Sequence, residues 1–306
     1  MGCEMKTLVV GWFSFEQMGA TAGDLMARDL ACEWLSDSGH AVEFAVVPPF
    51  SGGVDWRRVD PRDYSCVVFV CGPFGRGEPL TEFLTRFGGI PLIGLDVTML
   101  EALEAWNPFQ ALWERDSSRT ARPDISFLSR RPLVPVVGTV LIGDQPEYGD
   151  KARQNTANHA VVRLLASREV AVVPIDTCLD PKNATGLRTP AEIETLIARM
   201  DVVVTTRLHG MVLALKNGVP AVVIDSVVGG NKVIRQAQTV GWPVAFVIDE
   251  MTEEKLSDAF DYCLTEDARQ QAAGCCRRAQ AAVEQVRGEF IAETNWLPKM
   301  PVGERR

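Results

Sequence analysis

Histidine is scarce in this chain, with three residues among 306, which argues against a histidine-rich metal site. The eight cysteines include no C-x-x-C pair. Cys275 and Cys276 are adjacent, and neighbours on a helix point in different directions. Zinc and dithiol redox motifs are therefore not expected, no metal or cofactor is called for, and the thiols suit a cytoplasmic protein. No apolar run is long enough to span a membrane. The opening "MGCEMKTLVVGWF" lacks the apolar region of a signal peptide and runs straight into a strand pattern. Gly2 and Cys3 hint at lipidation, but Lys6 stands where a myristoylation motif carries Ser or Thr. Positive charge is also short: a net −9 argues against nucleic acid or an anionic membrane as the main partner. Any anionic ligand needs a local basic pocket.

What is present is alternation. "KTLVVGWF", "AVEFAVV", "SCVVFVC" and "IPLIGLDV" read as strands. A helix over 24–39 has Met26, Leu30 and Trp34 at four-residue spacing and Gly39 as its stop. "LTEFLTRF" is a second helix. Residues 117–132 are polar, basic and proline-marked, as a linker is. The pattern restarts with "LVPVVGTVLIGD" and continues through "EVAVVPID", "DVVVTT", "PAVVID" and "VAFVID" to a long terminal helical region. The expected class is α/β: two Rossmann-like domains with parallel sheets, 1–130 and 131–306, their carboxyl edges facing a cleft.

In such sheets ligands bind beyond the carboxyl ends of strands. "VVVTTRLHGMVLALKNGVPAVVIDS" places Arg207 and His209 where a buried strand hands over to a helix ending at Gly218. Unpaired N–H groups and the helix dipole favour an anion there, next to a guanidinium and an imidazole able to move a proton. The plainer reading pairs Arg207 with an acid and leaves His209 as a cap. His40 and His159 read as structural. In "GWFSFEQMGATAGD", Gly11 and Gly23 permit close backbone approach, and Asp24 either caps the helix or meets a ligand. This loop is neither G-x-G-x-x-G nor a P-loop, so a dinucleotide enzyme is not expected. Gly72 in "CGPFGRG" serves either close approach or a turn. Arg115 and Asp116 follow the apolar "FQALW" and read first as a surface turn. "IGDQPEYGDK" offers Asp144, Glu147, Tyr148 and Asp150 either to sugar hydroxyls and rings or to solvent alone. Trp12, Phe13 and Phe15 suit either stacking on a sugar or core packing.

The stretch from 201 to Lys232 resembles the polysaccharide pyruvyl transferase family: a strand, R-x-H at its end, a helix, Gly-x-Pro, another strand and a lysine. "GWFSFEQMGATAGD" looks like that family's opening loop, "CGPFGRG" like its glycine-rich turn, and "ERDSS" with "PDISF" like its R-D-x-x-S element and the Asp-containing strand beyond. Pro73, Phe74 and Arg76 replace glycines, Gln17, Met18 and Ala20 stand where Asn is frequent, and the separation between "RDSS" and "PDISF" is too short for a helix. The resemblance implies a GT-B-like pair of domains, the first holding the acceptor and the second phosphoenolpyruvate. It implies transfer of pyruvyl as a ketal to a sugar, glycan or lipid-linked sugar, without a cofactor or obligatory metal. Arg207 and the helix start at Gly210 would bind the donor's anionic groups and His209 relay protons, joined by Lys232 and Arg115. Tyr148 would select the acceptor independently of the donor. Two other readings use the same residues: a nucleotide-sugar glycosyltransferase or epimerase with Asp225 or Asp249 on the ribose, and a family member that binds without turnover.

Overall fold

The structure is a computed structural model, described over residues 6–17, 19–143, 146–181, 183 and 185–297. Gly2, Cys3, Met18 and Asp144 lie outside those residues. The chain divides into two compact units, Met1–Pro132 and Leu133–Arg306.

In the first unit β1 (Lys6–Val10) leads to α1 (Ala22–Asp37), β2 (Val42–Phe44) and β3 (Tyr64–Val70). Then come β4 (Pro73–Phe74), α2 (Leu80–Arg86), β5 (Leu92–Leu95), β6 (Thr98–Met99) and β7 (Ala111–Trp113). The main sheet has the order β2-β1-β3-β5-β7, and β4 pairs with β6 in a separate ribbon. All pairings in the main sheet are parallel. Side chains alternate across a strand, so a sheet covered on both faces needs an unbroken apolar run. Along β1 and β3, Leu8, Val10, Val67 and Phe69 enter one core cluster. Val9, Val68 and Val70 enter another, with Phe13 and Ala27. The first cluster is aromatic: Trp56 and Phe83 meet edge to face at 5.5 Å, and the Trp56 indole donates to the Ser14 carbonyl at 2.9 Å.

The second unit holds β8 (Val136–Val140), α3 (Gln154–Ala166), β9 (Ala171–Pro174), α4 (Pro190–Ile197) and β10 (Val202–Thr205). It continues through α5 (Leu208–Lys216), β11 (Ala221–Asp225), α6 (Lys232–Val240), β12 (Ala245–Val247), α7 (Glu253–Cys263) and α8 (Glu266–Glu293). Its parallel sheet runs β12-β11-β10-β8-β9. The β-branched runs of β10 and β11 are wholly buried, as central parallel strands are, while β9 is exposed at the edge. Val137, Val203, Val222, Ile224, Met211 and Phe260 belong to one core cluster. Among the described residues no helix is long and apolar enough to cross a membrane.

Both sheets share one topology. In chain order each runs second, first, third, fourth, fifth, so the direction of winding reverses between its first and third strands. That reversal falls between β1 and β3 in one unit and between β8 and β10 in the other. Crevices for ligands open at such points, beyond the carboxyl ends.

Candidate active site

The reversal point of the second unit is where Arg207 sits. Thr205 and Thr206, at the end of β10, stitch it to the end of β8. The Thr205 hydroxyl donates to the Val140 carbonyl at 2.9 Å, and Thr206 Oγ1 accepts the Ile142 N–H at 2.8 Å. Thr205 Oγ1 also accepts the Arg207 N–H at 2.9 Å. Arg207 is the N-cap residue of α5, in extended conformation, and gives that helix no side-chain cap. The first-turn N–H groups therefore retain the positive end of the helix for an outside acceptor.

The Arg207 side chain is fixed from behind. Its Nε donates to the Leu141 carbonyl at 3.0 Å, and Nη2 lies 3.5 Å from Asp176 Oδ1. With 22% of the side chain exposed, the guanidinium keeps an accessible edge. Asp176 follows β9, in a loop that Asn183 gathers by donating to the Asp176 and Cys178 carbonyls at 3.0 and 2.7 Å. Sequence reasoning missed Asp176: it stands just past β9, but its pairing with Arg207 arises across separate strands. His209 stands exposed in the first turn of α5. His40 and His159 are exposed too, one in the turn after α1 and one on α3.

Gly210 answers first to packing: a Cβ there would overlap Thr205 Oγ1 and lie 3.0 Å from Val140 Cβ, so only glycine lets α5 seat on β10. Lys232 begins α6 and is exposed. Lys232 and Tyr148 line the same narrow depression, about 10 Å³, together with Ile142, Thr206, Leu208 and Asn231. Tyr148 thus shares a wall with Lys232. The two acids considered for a ribose, Asp225 and Asp249, both accept backbone N–H groups. The buried Asp225 carboxylate accepts the N–H groups of Val227, Asn231 and Ile234 at 3.2, 2.6 and 3.1 Å. Asp249 accepts the Gly229 N–H at 2.9 Å.

In the first unit the loops at the reversal point are packed by the protein itself. A Cβ on Gly11 would come within 2.7 Å of the Val70 carbonyl, and one on Gly72 (φ +73°) would overlap the Trp12 ring. Trp12, Phe13 and Phe15 are all buried, so core packing rather than sugar stacking is their role. Gly23 lies in the first turn of α1, where a Cβ would touch only Thr21 Oγ1 at 3.6 Å. The cap of α1 is Thr21. Asp24 completes the box, accepting the Thr21 N–H and hydroxyl, each at 2.7 Å. Arg115 is not a surface-turn residue. Its guanidinium donates to Asp124 at 2.8 Å, to Thr98 Oγ1 at 2.7 Å and, more loosely, to Asp116 at 3.5 Å. Acids of its own unit therefore pair with it.

Solved structures similar along the chain include the glycotransferase of kitacinnamycin, at 11% identity and TM-score 0.37, covering 96% of this chain and 99% of that one. Spinosyn rhamnosyltransferase with spinosyn aglycone gives 14% identity and TM-score 0.35, covering 90% and 96%. The UDP-GlcNAc 2-epimerase of Methanocaldococcus jannaschii gives 9% and 0.33, covering 92% and 99%. Likeness this distant decides nothing about activity. Comparison with curated proteins gives no match. Over residues 153–226, which run from α3 to the end of β11 and carry Arg207 and His209, the chain matches the polysaccharide pyruvyl transferase family model.

Proposed function

We propose that the chain transfers pyruvyl from phosphoenolpyruvate to two hydroxyls of a sugar, glycan or lipid-linked sugar, forming a ketal. One observation carries this reading: Arg207 and His209 flank the uncapped start of α5 at the reversal point of the second sheet, inside the family-matched segment. The chain's net charge is −9, so an anionic donor depends on such a fixed local cation.

Arg207 and the first-turn N–H groups of α5, with Gly210 among them, receive the donor's carboxylate and phosphate, and Lys232 adds charge beside Tyr148. His209 relays protons. A proton added to the methylene carbon makes the central carbon oxocarbenium-like, and one acceptor hydroxyl adds there and gives up its proton. The bond to the bridging oxygen breaks, phosphate leaves, and the second hydroxyl closes the ketal as it loses its proton. One of the two hydroxyl protons replaces that given to the methyl group, and the other leaves with phosphate. The first unit, where Gly11, Gly23, Asp24 and Gly72 shape the loops, is assigned to the acceptor. We place the reaction in the cytoplasm, where the free thiols fit.

Calorimetry with phosphoenolpyruvate against UDP, GDP and CMP sugars tests the donor. Binding of a nucleotide sugar without phosphoenolpyruvate binding overturns the proposal, and the commitment of Asp225 to backbone donors already weighs against a ribose there. Phosphate release over a panel of sugars then separates turnover from binding alone.

A further inference from the structure

We propose that the carboxyl edge of the first sheet is a binding site for a thiophilic divalent cation of the zinc class, ligated by Cys71, Asp96 and Asp124 and backed by Arg115. The inference stands on the geometry of the first unit and does not rest on the pyruvyl reading.

The ligands come from places far apart in sequence. Cys71 follows β3, Asp96 follows β5, and Asp124 caps the short 3₁₀ turn Ile125–Leu128. Each offers one ligand atom, and those atoms lie within 4.8 Å of one another. Backbone hydrogen bonds hold them in place: Cys71 N–H donates to the Leu95 carbonyl at 2.9 Å and Asp96 N–H to the Trp113 carbonyl at 2.7 Å.

A second observation points to a ligand. Asp96 is only 2% exposed, and its Oδ1 accepts the Ile125 N–H at 3.3 Å. Its Oδ2 is buried with no hydrogen-bond partner among the described residues. A buried carboxylate oxygen left without a donor is unfavourable, and such groups are paired or bind a cation. The neighbouring Arg115 is turned to Asp124 and Thr98 instead.

A divalent ion entering the cluster displaces the thiol proton to solvent, and its two positive charges offset the thiolate and one further carboxylate charge. Arg115 Nη1 lies 3.7 Å from Cys71 Sγ and 2.8 Å from Asp124 Oδ2, so the guanidinium supports two ligands from outside the coordination shell. One thiolate with two carboxylates favours zinc over magnesium or calcium, which prefer all-oxygen shells. The fourth tetrahedral position is left for water or a substrate oxygen.

The test uses the full chain after chelator treatment. Cadmium is titrated in while the thiolate-to-metal charge-transfer absorption is followed, and zinc affinity is measured by competition with a chromophoric chelator. We expect about one equivalent bound, loss of the band in Cys71→Ser, and zinc affinity reduced at least tenfold in both Cys71→Ser and Asp96→Asn. Cys178→Ser, at an exposed thiol, should leave both signals unchanged. The absence of a band in the wild-type chain overturns the proposal, as does equal affinity in wild type and Asp96→Asn. Because the wild-type and Asp96→Asn measurements decide independently, a Cys71→Ser chain that failed to fold would not rescue it.

Discussion

Arg207 is a planar cation held from behind. The Leu141 carbonyl fixes Nε and sets the plane of the fork, Asp176 Oδ1 lies 3.5 Å from Nη2, and the accessible edge is left for an anion. Lysine keeps the charge but has no second donor at a fixed angle. In Arg207→Lys, phosphoenolpyruvate affinity should fall at least about tenfold by calorimetry, with circular dichroism unchanged. An undiminished affinity would remove Arg207 from the donor site. His209 is exposed and contributes no core contact, so His209→Ala should lower kcat by about 10² to 10⁴ and affect donor binding far less. Equal losses in both would make it a binding residue. The placement of these two residues was legible in the sequence, because the apolar run of β10 and the start of α5 mark the junction on which they stand. Asp176, Cys71 and Asp96 were not legible. Each follows a strand end, but their significance comes from side chains brought together across separate strands, which spacing along one chain does not encode.

At the scale of elements, α5 rests against β10 only because residue 210 has no side chain. Gly210→Ala pushes a methyl group into Thr205 and Val140, and overpacking of this kind costs about 1–3 kcal/mol. Urea denaturation should show that loss, and it should also weaken donor binding by shifting the helix start. The loop after β7 is organised by Glu114, which is 1% exposed and paired with Arg119 and Arg122. Burial alone would raise its carboxyl, but hydrogen bonds from Arg119, its own backbone N–H and Ser117 prevail and hold it at about 2. A carboxyl depressed in the folded state stabilises above its unfolded value of about 4.3, and that stability is lost as pH falls toward 2. Melting temperatures between pH 5 and 3 should therefore drop more steeply in wild type than in Glu114→Gln, by a difference equivalent to about 1–3 kcal/mol. Identical slopes would mean the pair contributes nothing to folding. The main strands were readable wherever β-branched runs were long. β7 was passed over because "FQALW" is short and its strand covers only Ala111–Trp113, and the β4–β6 ribbon is too brief for any periodicity to register.

For the whole molecule, each unit has cores of its own, aromatic in the first and largely aliphatic in the second. Scanning calorimetry should resolve two transitions, and phosphoenolpyruvate should raise only the one belonging to residues 133–306. A donor-induced rise in the other transition would contradict the assignment of the donor to the second unit. Every group seen fixing Arg207, from Val140 and Leu141 through Asp176 to Thr205, comes from that one unit. On the proposed reading this makes the donor half an interchangeable part. Selection can redraw the first unit's loops toward a new acceptor while the orientation of Arg207 stays as it is, so descendants of one such chain can diverge in what they decorate while continuing to attach the same group.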